Sequence, residues 1–233
     1  MIALLRRNIK IYFANIPGMV MSCLGALISF FIYIGFLQKN LQDSWSQIPH
    51  VTKVLDLWII SVIVAIAGIT ASFQALGQLV KDRESRTADD MRLTDTPASL
   101  QTLAYILSSA LVSLFMQVIV FAIMAGYFAA VDHLHIPADR LLKMGCFFVL
   151  GAMTATLLNA LIVQFIHSST TFSRLSAIIG AAAGFAVATY MPYGGLTSHA
   201  QSLVKLVPNS YEAIALRDLS IIGENTPTST SGG

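Results

Sequence analysis

Residues 57–80 read LWIISVIVAIAGITASFQALGQLV, a run without a single Asp, Glu, Lys, Arg or His. A helix needs about 20 mostly apolar residues to cross the hydrocarbon of a bilayer, and this run supplies them. A membrane-spanning β-strand would instead alternate polar and apolar residues over about ten positions. Backbone groups in hydrocarbon must find partners within their own segment, so near-continuous apolarity reads as helix. Four further stretches have the same character, at about 18–37, 100–131, 141–166 and 175–193. The expected fold is an all-α membrane protein, a polytopic bundle of five transmembrane helices. The stretch 100–131 is long enough to tilt or to project beyond the bilayer.

Composition agrees. Of 233 residues, 55% are hydrophobic and 11% charged, and the mean hydropathy is +0.71. A soluble domain carries about 25% charged residues. The net charge of +2 is mild, and no polar face clusters Lys and Arg as a nucleic-acid binder requires. Cys23 and Cys146 each lie in an apolar stretch and read as separate buried thiols, neither a disulfide nor a metal pair. The start is not expected to be a cleaved signal peptide. Ile2 to Leu5 is apolar ahead of the basic residues, and no small-residue cleavage site follows.

Outside the spans, residues 1–17 form an expected elbow helix. At 100° per residue Ile2, Leu5, Ile9, Tyr12, Phe13 and Ile16 gather on one face, and Arg6, Arg7 and Lys10 on the other; Asn8 and Ile11 fit poorly. Such a helix lies in the headgroup plane with its basic side toward an anionic leaflet. Pro17 is expected to break the chain before the first span. With the N-terminus cytoplasmic, the two densest basic clusters, Arg6 to Lys10 and Lys81 to Arg92, both fall inside, as does Arg174. The expected location is the plasma or inner cell membrane. Trp58 is placed near the outer interface, in the manner of an aromatic belt. Gly180 and Gly184 frame a small-residue run that would let helices approach closely, or is simply a small-residue face. Residues 194–222 read as an outer amphipathic segment, and 223–233 as a disordered Ser/Thr/Gly tail. Residues 1–222 are taken as one transmembrane domain.

Ionisable groups at mid-depth mark proton relays and ion-coupled transporters, and the middles of the spans have none. Polar groups there include Gln74, Gln117, Asn159 and Gln164. Hydrogen bonding between helices is their ordinary role; lining a weakly polar path is the functional one. No Gly-Lys dipeptide occurs, so the phosphate-binding loop of a P-loop ATPase is absent. Neither Gly-x-Ser-x-Gly nor His-Glu-x-x-His is present. Asp132, His133 and His135 read as a hydrated loop. No catalytic, cofactor-binding or metal-binding residue is expected in the chain.

The most informative segment is 81–99, KDRESRTADDMRLTDTPAS, dense in both signs between two spans. Thr87 three residues before Asp90 resembles a capping box opening a short helix through Leu93, and Thr96-Pro97 ends it. Met91 and Leu93 stand as apolar knobs within a charged rim, the pattern of a surface that docks a soluble partner. A plain solvated connector would explain the charges and not those two side chains.

In order along the chain, the basic elbow, the segment Lys81-Asp82-Arg83-Glu84 through Leu93-Thr94-Asp95-Thr96-Pro97-Ala98-Ser99, and the later Leu206-Val207-Pro208-Asn209-Ser210-Tyr211 ahead of Arg217 are similar to the permease subunits of ABC type-2 exporters. The resemblance implies a six-helix permease, with the sixth helix following the outer segment where the Ser/Thr/Gly tail stands. It implies pairing with a second permease, as homodimer or heterodimer, and with cytoplasmic ATP-binding cassette subunits that hold ATP and Mg. Lys81, Asp82, Arg83, Glu84, Arg86, Asp90, Met91, Arg92, Leu93, Thr96 and Pro97 would then form the ATPase-coupling loop, with Arg6, Arg7 and Lys10 on the elbow beside it. The chain itself would not be an enzyme. The rival readings are a non-transporting membrane scaffold or immunity-type protein, and a membrane-embedded enzyme. The enzyme would need polar catalytic groups clustered at one interface, which the sequence does not offer.

Overall fold

The computed structural model describes residues 1–39, 51–92, 97–131 and 138–186, and all of its regular structure there is helical. The helices are α1 (Ile2–Ala14), α2 (Ile16–Ile32), α3 (Val51–Glu84), α4 (Thr87–Arg92), α5 (Ala98–Val131), α6 (Ala138–Val163) and α7 (Ser169–Ala186). Helix α2 runs on into a wider π turn at Tyr33–Leu37. Successive long helices alternate in direction, so the start of α2, the end of α3, the start of α5, the end of α6 and the start of α7 meet at one end of the bundle, together with α1. This is the elbow end.

Helix α3 is the axis. It packs against α2, α5, α6 and α7, and 83% of its most apolar window is buried, against 39% for α5 and for α6. A helix apolar all round is either enclosed by protein or set against lipid, and α3 is enclosed. The outward faces of α5 and α6 remain apolar, with Leu111, Phe115 and Val118 on one and Leu150, Leu157 and Leu161 on the other. An unbroken greasy belt of this kind is a lipid-facing surface. Three described helices are long and apolar enough to cross a membrane, or four if the bent α2 is one span.

Several expected boundaries shift. Helix α3 extends past 57–80 at both ends, which takes Asp56 and Asp82 into the helix; both are buried. Helix α7 begins at Ser169, not near 175, so Arg174 is inside it and exposed; residues 187–193 of the expected fifth span lie outside the described residues, as do the segments 194–222 and 223–233. The break ahead of the first span falls at Asn15, which ends α1 and accepts a hydrogen bond from the Gly18 N–H at 3.2 Å to begin α2. Pro17 sits in the first turn of α2, where its missing N–H would have had no helical partner. Trp58 is turned inward, 8% exposed, and meets Tyr33 edge-on at 6.4 Å between ring centroids. Gly180 has open space where a side chain would stand, so it serves no close approach within the described chain. Cys23 and Cys146 are both free thiols, but Cys23 is only half-buried and Cys146 is exposed on the outward face of α6, not buried within the bundle.

Two close approaches set the packing of α3. A side chain at Gly68 would overlap the Gln117 amide of α5. A side chain at Gly77 would come within 2.6 Å of the Phe172 ring on α7, which stacks on Phe73 at 4.7 Å with planes 4° apart.

Candidate functional site

At the elbow end several polar side chains converge on the last turn of α3. Asp82 is 3% exposed. Its carboxylate accepts two bonds from the Arg7 guanidinium of α1, at 2.8 and 3.1 Å. The Gln78 amide donates to it at 2.7 Å from one turn earlier, and the Tyr105 hydroxyl donates from α5. A two-pronged guanidinium–carboxylate pair fixes angle as well as distance. Its burial is tolerated because additional donors satisfy the remaining lone pairs. Hydrogen bonding to Asp82 raises the Arg7 pKa above its ordinary value, outweighing the desolvation that opposes it.

Arg7 was expected on the basic outer face of the elbow with Arg6 and Lys10. Those two are exposed, while Arg7 is turned into the bundle. The reason is angular: Arg7 lies a full 100° from Arg6 around the helix, toward Asn8. Asn8, which fitted neither face of the sequence pattern, is buried and donates to Ser108 of α5 at 3.3 Å. The inward face of α1 also carries Leu4, Ile9 and Phe13 against the bundle. Tyr12 closes the corner by sharing a 2.8 Å bond with Ser22 of α2.

The next two residues reach other helices. Arg83 extends to the Gln164 carbonyl just past α6, at a long 3.5 Å. The Glu84 carboxylate accepts from the Ser169 N–H that opens α7, at 3.0 Å. An acidic group at a helix N-terminus meets both unpaired N–H groups and the positive end of the helix dipole. Three consecutive side chains therefore tie α3 to α1 and α5, to α6, and to α7.

Beyond Glu84 the chain turns sharply. Arg86 adopts a left-handed backbone, φ 59°, the conformation that commonly closes a helix. Its carbonyl then accepts from the N–H groups of Asp89 and Asp90, at 2.9 and 3.2 Å, to start α4. Thr87 is thus already inside the helix, and its hydroxyl meets that of Ser85 at 2.8 Å, which corrects the capping-box reading. The expected short helix is present over Thr87–Arg92; Leu93 and Thr96 lie outside the described residues. Met91 departs from expectation. It packs inward with Leu4 and Leu175 against the cluster of Phe73, Leu76 and Phe172, and its carbonyl accepts from the Gln101 amide at 2.8 Å. The connector needs an apolar foot on its own bundle, so this knob is used within the chain. Lys81, Arg86, Asp90 and Pro97 are exposed around it.

The expected path-lining residues separate. Asn159 donates to the Ile69 carbonyl and to Ser72, at 2.9 and 2.8 Å, tying α6 to α3. Gln74 accepts from Ser176 at 3.1 Å, tying α3 to α7. Gln117 is fully buried against Gly68, and neither of its amide atoms has a hydrogen-bond partner among the described residues. Gln164 is not at depth: it follows the end of α6 and is exposed. A small recess between α1, α2 and α3 is lined by Asn8, Tyr12, Gln74, Gln78, Lys81 and Phe172 among others. Among the described residues, no His, Cys, Asp and Glu side chains are grouped to hold a metal; Asp132, His133 and His135 fall outside them.

The residues that sequence reasoning missed are Gln78, Tyr105, Ser108 and Asn8. One signal was available. Gln101, Tyr105, Ser109, Ser113 and Gln117 follow one another at intervals of four on α5, and all are buried. Positions four apart form a ridge on a helix surface, and a polar ridge on an otherwise apolar helix marks the side that meets protein rather than lipid.

A family model described as ABC-2 family transporter protein matches residues 38–231. No curated protein and no solved structure matches the chain.

Proposed function

Because the chain belongs to the ABC-2 transporter family, in which this kind of subunit is a multi-pass membrane permease, we propose that it is the permease of an ATP-driven exporter. It sits in the plasma or inner cell membrane with its N-terminus and the α3–α5 connector in the cytosol. Residues 1–222 form the transmembrane domain, which shapes the substrate path together with a second permease. Separate cytoplasmic ATP-binding cassette subunits hold ATP and Mg, hydrolyse the nucleotide and engage the connector. The chain has no phosphate-binding loop of its own, so the energy enters through that contact.

The observation that carries this reading is the construction of the connector. Helix α4 is short and charged, is footed on the bundle by Met91, and stands directly on the turn of α3 whose side chains reach the other helices. A force on such a lever is delivered to the whole elbow end. The exposed Arg86 and Asp90 offer the polar rim that a soluble partner meets.

Isolation of the tagged chain from its native membrane tests the reading. An ATP-binding cassette subunit should co-purify, and the complex should hydrolyse ATP. Recovery of the chain alone, or with partners lacking ATPase activity, overturns it in favour of a scaffold.

A further inference from the structure

We propose that Asp82 is a positioning residue, and that Arg7 acts through it to hold the elbow helix in fixed register with the connector. The inference rests on the permease reading for its functional consequence, although the tie itself is independent of any partner.

The elbow could have been a surface helix held only by its apolar face. Instead a charge on that helix crosses to a carboxylate 75 residues away. Asp82 lies in the last turn of α3, two residues before the helix ends and five before α4 begins. It is therefore the buried charged residue nearest the connector along α3. Four donor groups meet on it: two guanidinium nitrogens, a side-chain amide and a phenol, brought by α1, α3 and α5. Asn8 adds a second strut from α1 to α5 through Ser108. Displacing the end of α3 must carry α1 and the start of α5 with it or break these bonds. Apolar contacts such as Leu4 and Met91 allow sliding, because the hydrophobic effect that holds them has no preferred direction. The two-pronged ion pair does not. Fixed register is what this arrangement adds to adhesion.

A merely structural role is separable from a positioning one. Removing Arg7 alone leaves a buried carboxylate without its cation, and the fold suffers. Removing both charges, Arg7→Met with Asp82→Asn, takes away that penalty while also removing the directional tie. Arg7→Lys keeps the charge and loses the fork. Spin labels at Lys10→Cys and Asp90→Cys, with Cys23 and Cys146 replaced by serine, report the elbow-to-connector distance in the full chain in nanodiscs. Both label sites are exposed.

The original sequence should give one narrow distance. Arg7→Met should broaden it and lower thermal stability. The double variant should recover thermal stability yet keep the broad distance, and Arg7→Lys should be broadened with its stability near the original. In complex with the ATPase, the double variant should lose stimulation of ATP turnover by about fivefold or more, the lower range of ordinary coupling between sites. A narrow distance in the double variant overturns the proposal, as does turnover that returns along with stability. An original complex whose turnover does not respond to the permease refutes the permease reading instead, and the label distances still decide the tie.

Discussion

Gln117→Leu should make the bundle more stable, although it removes a polar group of the kind that usually joins transmembrane helices. The Gln117 amide is fully buried in the α3–α5 contact, and among the described residues neither its nitrogen nor its oxygen finds a partner. Ser113, one turn earlier, already holds the Gly68 carbonyl at 2.9 Å. Burying an amide without a hydrogen bond costs about 1–3 kcal/mol by protein mutational data. In a membrane part of that is not recovered on mutation, because the unfolded chain in lipid also finds partners for the amide. The net gain is then about 1–2 kcal/mol for a leucine of similar volume. For a chain of this length that corresponds to a rise of about 2–8 °C in the unfolding midpoint. Gly68→Ala should do the reverse, since its new methyl overlaps the amide and finds the Gln117 Cδ and Cγ at 3.0 and 3.2 Å. Forced overpacking of this kind costs about 1–3 kcal/mol. Combining Gly68→Ala with Gln117→Ala removes the overlap, so the pair should cost less than the sum of its parts, with an interaction energy of about 1 kcal/mol or more. Thermal unfolding of the purified chain in one detergent, followed by the fluorescence of Trp45 and Trp58, measures the original protein, Gln117→Leu, Gly68→Ala, Gln117→Ala and the double variant. A lowered midpoint for Gln117→Leu, or additive costs for the pair, refutes the reasoning.

Gly77→Ala should displace Phe172 from its stack on Phe73 and loosen α7 from α3, lowering the midpoint by an amount that Phe172→Leu largely relieves. Asn159→Ala removes two bonds to α3 and should cost about 1–2 kcal/mol in the same assay, in keeping with interhelical hydrogen bonds in lipid. Arg86→Gly should leave stability equal or up to about 1 kcal/mol higher, because the left-handed backbone there suits glycine better than a side chain. A loss of more than that would show that the Arg86 side chain itself holds the turn.

The bundle was legible in the sequence because its governing term is solvent. Long apolar runs such as 57–80 and 100–131 have one stable form in hydrocarbon; the ends of 100–131 were set within two residues, while α3 runs further at both ends of 57–80 because the polar residues Asp56 and Asp82 at its ends are buried by protein. The short α4 helix was legible as a helix, although the capping box that suggested its start is not formed. The tie at the elbow end was not, and the reason is physical. Asp82 stands in Lys81-Asp82-Arg83-Glu84, which reads as a solvated helix end, and nothing local separates a carboxylate facing water from one facing a helix 75 residues earlier. Arg7 was assigned by angle to the wrong side of a boundary that the neighbouring helix decides. Met91 was read as an exposed knob because the pattern shows that an apolar side chain must be covered and not by what. The polar ridge of α5, Gln101 to Gln117 at intervals of four, was present in the sequence, and it predicts the buried side of that helix without any tertiary information.

Everything functional in this account depends on the connector facing the compartment where ATP is hydrolysed. A single cysteine at position 90 in a chain with Cys23 and Cys146 replaced, treated with a membrane-impermeant maleimide, measures this directly. Labelling in inverted vesicles and none in intact cells is the predicted result; labelling of intact cells would contradict the account.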